Sequence, residues 1–209
     1  MLVDLFEFQN KALGSLRERQ VKAQRRYKQD GEKSIIPFTA PTGAGKTIIM
    51  SAFIEALYTG DTYQGTQNDA IVLWISDAPE LNEQSKDKLY KVADKLRNRQ
   101  VVTIDEQNFK ADKLQLGTIY YVNTQKFGVN SNLVKYSDSR NYTGWDFMRN
   151  TIEEYGDKLV VIIDEAHRGA KPNEIGTQMS IMQKFVLGSE ADNRSEERRV
   201  GKECSWTCR

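Results

Sequence analysis

Eight residues constrain this chain more than any others: Ala40-Pro41-Thr42-Gly43-Ala44-Gly45-Lys46-Thr47. A short apolar run, Ile35 to Thr39, leads into them, and a helix-forming run, Thr47 to Tyr58, leads out. This is the strand–loop–helix pattern of a phosphate loop, with Ala40 where the first glycine usually stands. The residue types follow from the chemistry. Phosphate oxygens are wrapped by backbone N–H groups, so the loop must take unusual dihedrals and carry little side chain. Gly43 and Gly45 meet that need, and the following helix points its positive end at the anion. Thr42, Gly43, Ala44 and Gly45 are therefore candidate cradle residues. Lys46 is placed to reach the β and γ phosphates, and Thr47 to put its hydroxyl on Mg²⁺. The competing reading is an ordinary glycine-rich turn, which leaves the flanking strand and helix unexplained.

The remainder alternates apolar runs with helical patterns, which argues for an α/β domain on a mostly parallel sheet with helices on both faces. Phe6 to Lys28, Pro79 to Leu96, Trp145 to Tyr155 and Glu174 to Leu187 read as helices. Ala70–Ile75 and Leu159–Ile163 are continuous apolar runs, as in strands covered on both faces. Val101–Ile104 and Thr118–Val122 are further strand candidates, and the polar stretch from Gly128 to Thr143 reads as a surface loop.

Leu159–Ile163 ends on Asp164-Glu165-Ala166-His167. A buried strand thus delivers two carboxylates at its carboxyl end, where α/β sheets bind ligands. Asp164 is the candidate Mg²⁺ ligand, through water, because Mg²⁺ keeps much of its hydration shell. Glu165 is the candidate general base for an attacking water. An acidic helix start is the alternative, since carboxylates favour that position. His167, the only histidine, completes the four-residue box.

Net charge is +1, so no global basic field points to a polyanion. Arg17, Arg19, Lys22, Arg25, Arg26 and Lys28 do cluster in the first helix. They suit phosphates, although a solvated helix face is the ordinary meaning of such a run. No stretch approaches the roughly 18 apolar residues of a membrane span. The start, Met1-Leu2-Val3-Asp4, lacks the charge-then-apolar order of a secretory signal, so the expected location is cytoplasmic.

The Ala40–Thr47 loop and the Asp164–His167 box resemble the motor core of helicase superfamily 2, in its Asp-Glu-Ala-His branch. The likeness is nearest to the Res subunits of type III restriction enzymes and their type I relatives, over Leu5 to about Leu187. The resemblance implies a RecA-like P-loop NTPase domain, ATP and Mg²⁺, with Lys46 and Glu165 catalytic. It also implies duplex DNA as partner through non-specific backbone contacts, and a modification or specificity subunit for the whole protein; the alternatives are a helicase of the same superfamily acting on RNA or repair intermediates, since the motor core does not separate DNA from RNA, and a nucleotide-binding module without motor activity. Phe8-Gln9 looks like the family's aromatic–Gln element, whose Gln9 reads adenine; a solvent-facing glutamine at a helix start is the alternative. His167 joins the nucleotide-binding set on the same ground. Leu73–Ser76 with Glu80–Lys86 looks like the segment that meets the nucleic-acid backbone, and Val122–Gln125 sits where a second such segment falls. A second RecA-like domain with its arginine finger is not visible, so the chain alone is expected to be almost inactive.

From Arg194 to Cys204 the sequence has no apolar periodicity, and it resembles the in-frame translation of a common short-read sequencing adaptor. The expectation is a domain over residues 1–193, cut short at its carboxyl end, and a non-native, disordered tail over 194–209. Both cysteines, Cys204 and Cys208, lie in that tail.

Overall fold

The computed structural model describes residues 2–106, 109–128, 130–136 and 141–164, together with the backbone of 205–208. Its order is α1 (Glu7–Asp30), β1 (Ile35–Phe38), α2 (Lys46–Thr59), β2 (Ile71–Ser76), α3 (Pro79–Val92), β3 (Val101–Thr103), β4 (Ile119–Asn123), α4 (Gly144–Tyr155), β5 (Leu159–Ile163) and β6 (Ser205–Cys208). Single turns of tighter helix follow α3 and β4 and interrupt the polar loop before α4. Among the described residues no helix is long and apolar enough to cross a membrane. The expected helix from Glu174 to Leu187 lies outside the described residues.

Every strand pairing among the described residues is parallel, in the order β1-β6-β5-β2-β4-β3. The continuous apolar run of β2 now has its explanation. Val72 and Trp74 point to the face covered by α1, α2 and α3, where Phe53, Ile54 and Leu57 of α2 are fully buried. Ile71, Leu73 and Ile75 point to the opposite face, against Phe147, Met148 and Ile152 of α4. A strand buried on both sides has no polar face to alternate with. The two edges follow a different rule. β1 alternates, with Ile35 and Pro37 exposed and Ile36 buried, and a proline is tolerated on an edge strand.

Helix ends are set locally. Gly31 takes the left-handed conformation, φ 60°, and its N–H donates to the Tyr27 carbonyl to end α1. Thr143 and Asp146 cap α4 reciprocally: Asp146 N–H donates to Thr143 Oγ1 at 3.2 Å and Thr143 N–H to Asp146 Oδ2 at 3.0 Å. The polar loop before α4 is not wholly a surface loop, because Leu133 is fully buried in the α4 face of the core.

One expectation is corrected by this arrangement, in which β6 lies between β1 and β5. The tail was expected to be disordered, yet Ser205–Cys208 pairs with β1 on one side and β5 on the other. The physical reason is the slot itself. Two strands held a double spacing apart leave two rows of backbone N–H and C=O groups unpaired, and a strand-prone Trp-Thr segment satisfies both. The rest of the tail lies outside the described residues.

Arg17 departs from the solvated-face reading of its cluster. It is 1% exposed, under α2. Its Nε donates to Asp61 Oδ2 at 2.5 Å, a second nitrogen donates to Gln20 Oε1 at 2.6 Å, and its guanidinium lies 5.8 Å from the Phe53 ring centre. Burial raises the Asp61 carboxyl, but the Arg17 guanidinium and the N–H groups of Gln64 and Tyr63 outweigh this and hold it below its usual range. Arg17→Ala is expected to destabilise the domain by about 2–3 kcal/mol, less than a fully buried pair because Asp61 keeps some solvent. A depressed carboxyl contributes stability above its unfolded value, which is lost as pH falls through the folded one. Urea melts should therefore show the gap between the two proteins at pH 7 and a smaller gap below about pH 4. An equal gap at both pH values would contradict the assignment to Asp61.

Candidate nucleotide site at the carboxyl edge of the sheet

The loop between β1 and α2 is shaped by two glycines. Gly43 has φ 82° and Gly45 has φ 79°, in the left-handed region that β-carbons disfavour. Ala44 N–H donates to the Pro41 carbonyl at 3.1 Å, and Gly45 caps α2 by accepting from Ile49 N–H at 2.9 Å. Thr42 and Gly43 are exposed, while Ala44, Gly45, Lys46 and Thr47 are half-buried. The loop is open at Gly43, where an added β-carbon would meet nothing within 4 Å. It is closed at Gly45, where that carbon would stand 2.7 Å from Gln9 Nε2.

Gln9 is the closing group. It is only 5% exposed, which removes the solvent-facing alternative. Its Nε2 donates to the Ala44 carbonyl at 3.0 Å, and its Oε1 accepts from Phe6 N–H at 3.0 Å. One N–H and one lone pair of the amide are thereby committed to protein, and one of each is left over. Phe6 and Phe8 flank it with their rings parallel, 6.0 Å apart at 7°, and exposed by 69% and 52%. Sequence reading singled out Phe8 but passed over Phe6. The signal was two aromatics in three residues beside an amide, at a helix start with nothing downstream to bury them.

The loop glycines make a graded prediction. Gly43→Ala carries backbone strain alone, about 1–2 kcal/mol. Gly45→Ala carries that strain and also pushes Gln9 off Ala44. Thermal melts should rank Gly45→Ala as the less stable of the two; the reverse order would show that Gln9 yields freely.

Lys46 opens α2 and makes no ion pair among the described residues, unlike Lys22, Lys28, Lys86, Lys113 and Lys158. Thr47 follows it, and the Thr47 carbonyl accepts from Ser51 Oγ at 2.8 Å.

The second half of the site comes from β5. Asp164 N–H donates to the Ile75 carbonyl at 2.9 Å, so β2 holds the backbone one residue beyond the end of the strand. The register fixes its height. Pro37 and Ile163 are both partnered with Thr207, so the two strands are level. β1 ends one residue later at Phe38 and passes into the loop, just as β5 passes into Asp164. Two strand spacings, about 10 Å, separate their backbones. The phosphate loop and Asp164 thus leave the sheet side by side, along the edge where open parallel sheets hold ligands.

The same edge continues outward. Ser76 and Asn123 are register partners at the ends of β2 and β4, and Thr124 Oγ1 lies 3.4 Å from Asp77 Oδ1. In the first segment carried over from the resemblance, Asn82 and Ser85 are buried and Glu80, Glu83 and Gln84 exposed. Glu165 and His167 lie outside the described residues. Among the described residues no group of three His, Cys, Asp or Glu side chains is placed to hold a metal. One hydroxyl and one carboxylate suit Mg²⁺, which binds few protein oxygens and keeps its waters.

A family model described as type III restriction enzyme, res subunit, matches residues 3–189. The chain belongs to that family. As a member of it, the chain has the RecA-like P-loop NTPase fold and carries a helicase-type ATP-binding domain of restriction-subunit type. Comparison with curated proteins finds no match.

Proposed function

We propose that this res-family chain is the first motor domain of an ATP-dependent DNA translocase, in which ATP hydrolysis drives movement on duplex DNA. The observation that carries the reading is the level exit of β1 and β5, which sets the phosphate loop beside Asp164. Thr42, Gly43 and Gly45 offer N–H groups to the phosphates, Ala44 shapes the loop through its bond to the Pro41 carbonyl, and Lys46 offers its ammonium. Thr47 and Asp164 hold Mg²⁺, which when bound neutralises phosphate charge. Glu165 takes the proton of the attacking water, so the products are ADP and phosphate. His167, the fourth residue of the box, joins the nucleotide-binding set in this reading. Turnover by these residues alone is slow, because an arginine finger from a second motor domain contributes ~10³–10⁵ in rate.

Gln9 reads the base in this account. Its remaining N–H and lone pair match adenine N7 and the N6 amine, while the exposed Phe6 and Phe8 rings give the base a face to stack on. Competition binding of ATP and GTP with Mg²⁺ tests this. ATP should be preferred by roughly tenfold, as expected for about 1.4 kcal/mol of hydrogen bonding, and Gln9→Ala should erase the preference. Equal affinities in the unmodified chain would remove Gln9 from the site.

DNA contacts in this reading are made by the exposed part of α3 and the ends of β2 and β4, to the sugar–phosphate backbone. We take residues 1–193 as the domain and 194–209 as non-native in origin, with β6 filling a slot that any strand-prone segment can occupy. The nucleotide record decides this: codons unlike the adaptor string would make the tail natural.

A further inference from the structure

Three side chains of the α1 basic cluster stand apart from the nucleotide crevice. Arg19, Lys22 and Arg26 succeed one another at three- and four-residue spacing, so they form one stripe on the helix. All three are exposed. With Ala23, Ser34 and Ile36 they line a cleft of about 240 Å³ between α1 and the start of β1. At ~30 Å³ per water, that is room for several waters or a hydrated phosphate. The floor is apolar, with Ala23 and Ile36 buried, the walls are cationic, and Ser34 adds a hydroxyl.

Of the other nearby cations, Arg17 has Asp61, Lys28 has Asp157 and Lys158 has Asp69, while Arg25 is exposed and does not line the cleft. Lys22 lies 2.7 Å from Glu18 in an exposed pair. Arg19 and Arg26 make no hydrogen bond or ion pair among the described residues, and Arg19 acts on Glu18 only through space. A merely solvated face spreads its cations over a convex surface. Here two unpaired guanidiniums border one depression.

The cleft is distinct from the triphosphate site. α1 begins where Gln9 touches Ala44 and runs away from it. At 1.5 Å per residue, Arg19 lies about 15 Å and Arg26 about 25 Å further along the axis. The cleft therefore sits toward the opposite end of the strands from Asp164.

We propose that the Arg19–Lys22–Arg26 cleft is a second anion site, and that its ligand is the phosphodiester backbone of duplex DNA. Arg19 to Arg26 spans about 10.5 Å of helix axis, which matches about three phosphates of one strand at ~3.4 Å each. The contact carries no sequence preference, because phosphates are alike in every sequence. It rests on the DNA reading above but not on the nucleotide site.

The test uses the full chain and a fluorescent duplex of roughly 30 base pairs, titrated over a salt series. Arg19→Ala with Arg26→Ala is compared with a control, Lys113→Ala with Arg149→Ala, which removes the same charge from the α4 face. The slope of log affinity against log salt should fall by about 1.8 in the first, two contacts at ~0.9 each, and stay unchanged in the control. ATP binding should be the same in all three proteins. An unchanged slope in the Arg19/Arg26 variant, an equal loss in the control, or saturation of the cleft by inorganic phosphate without duplex binding would overturn the proposal. Failure of the unmodified chain to hold duplex at low salt would overturn it too, and retained ATP binding would then leave the nucleotide site standing.

Discussion

Lys46→Ala is expected to weaken ATP binding by at least about 100-fold. Lys46 is half-buried at the first position of α2 and makes no ion pair among the described residues. A charge-assisted hydrogen bond contributes ~1.5–3 kcal/mol. An ammonium between two phosphates makes two of them, and ~2.7 kcal/mol already corresponds to a factor of 100 in affinity. The loss falls on binding because the phosphate charge exists before any chemistry begins. Fluorescent-nucleotide titration checks this, with far-ultraviolet circular dichroism to show that α2 is intact. Binding within a fewfold of the unmodified chain would place the phosphates elsewhere.

Glu165→Gln should do the opposite: leave ATP binding within about twofold and lower the single-turnover rate by ~10²–10⁴, the usual contribution of a positioned general base. The backbone argument is direct. Asp164 N–H is tied to the Ile75 carbonyl at the carboxyl edge of the sheet, and Glu165 is the next residue in sequence. An amide keeps the size of the carboxylate and its hydrogen-bonding reach but cannot take the proton. The split between the two substitutions is the signature: Lys46 acts on ground-state charge, Glu165 chiefly in the transition state. Hydrolysis unaffected by Glu165→Gln would mean that another group accepts the proton.

Much of this was legible in the residues, and the reason differs by element. The phosphate loop declared itself because Gly43 and Gly45 do what other residues cannot at positive φ. β2 and β5 were legible because burial on two faces leaves an unbroken apolar run. What was not legible depends on partners far away in sequence. Arg17 looked like one more surface cation, and only its pairing with Asp61, 44 positions on, makes it a buried strut. Leu133 is one of few aliphatic residues in a polar stretch, and its burial is decided by α4 and the turn around it. The strand at Ser205–Cys208 is the extreme case. Its strand-prone Trp-Thr pair does not say where it pairs, and its place follows from the open rows of β1 and β5. Gln9 was read for its chemistry toward a base, but its grip on the Ala44 carbonyl is a tertiary fact.

The central claim is that one Mg²⁺–triphosphate bridges the α2 start and the β5 end. The most direct test is a crystal structure of the chain with Mg²⁺ and a non-hydrolysable ATP analogue. The account predicts the β and γ phosphates within the Gly43–Thr47 loop, and Thr47 Oγ1 and the Asp164 carboxylate on the same ion, the latter directly or through one water. Phosphates bound away from that loop, or Asp164 more than about 10 Å from Thr47, too far for one ion and its water, would contradict it.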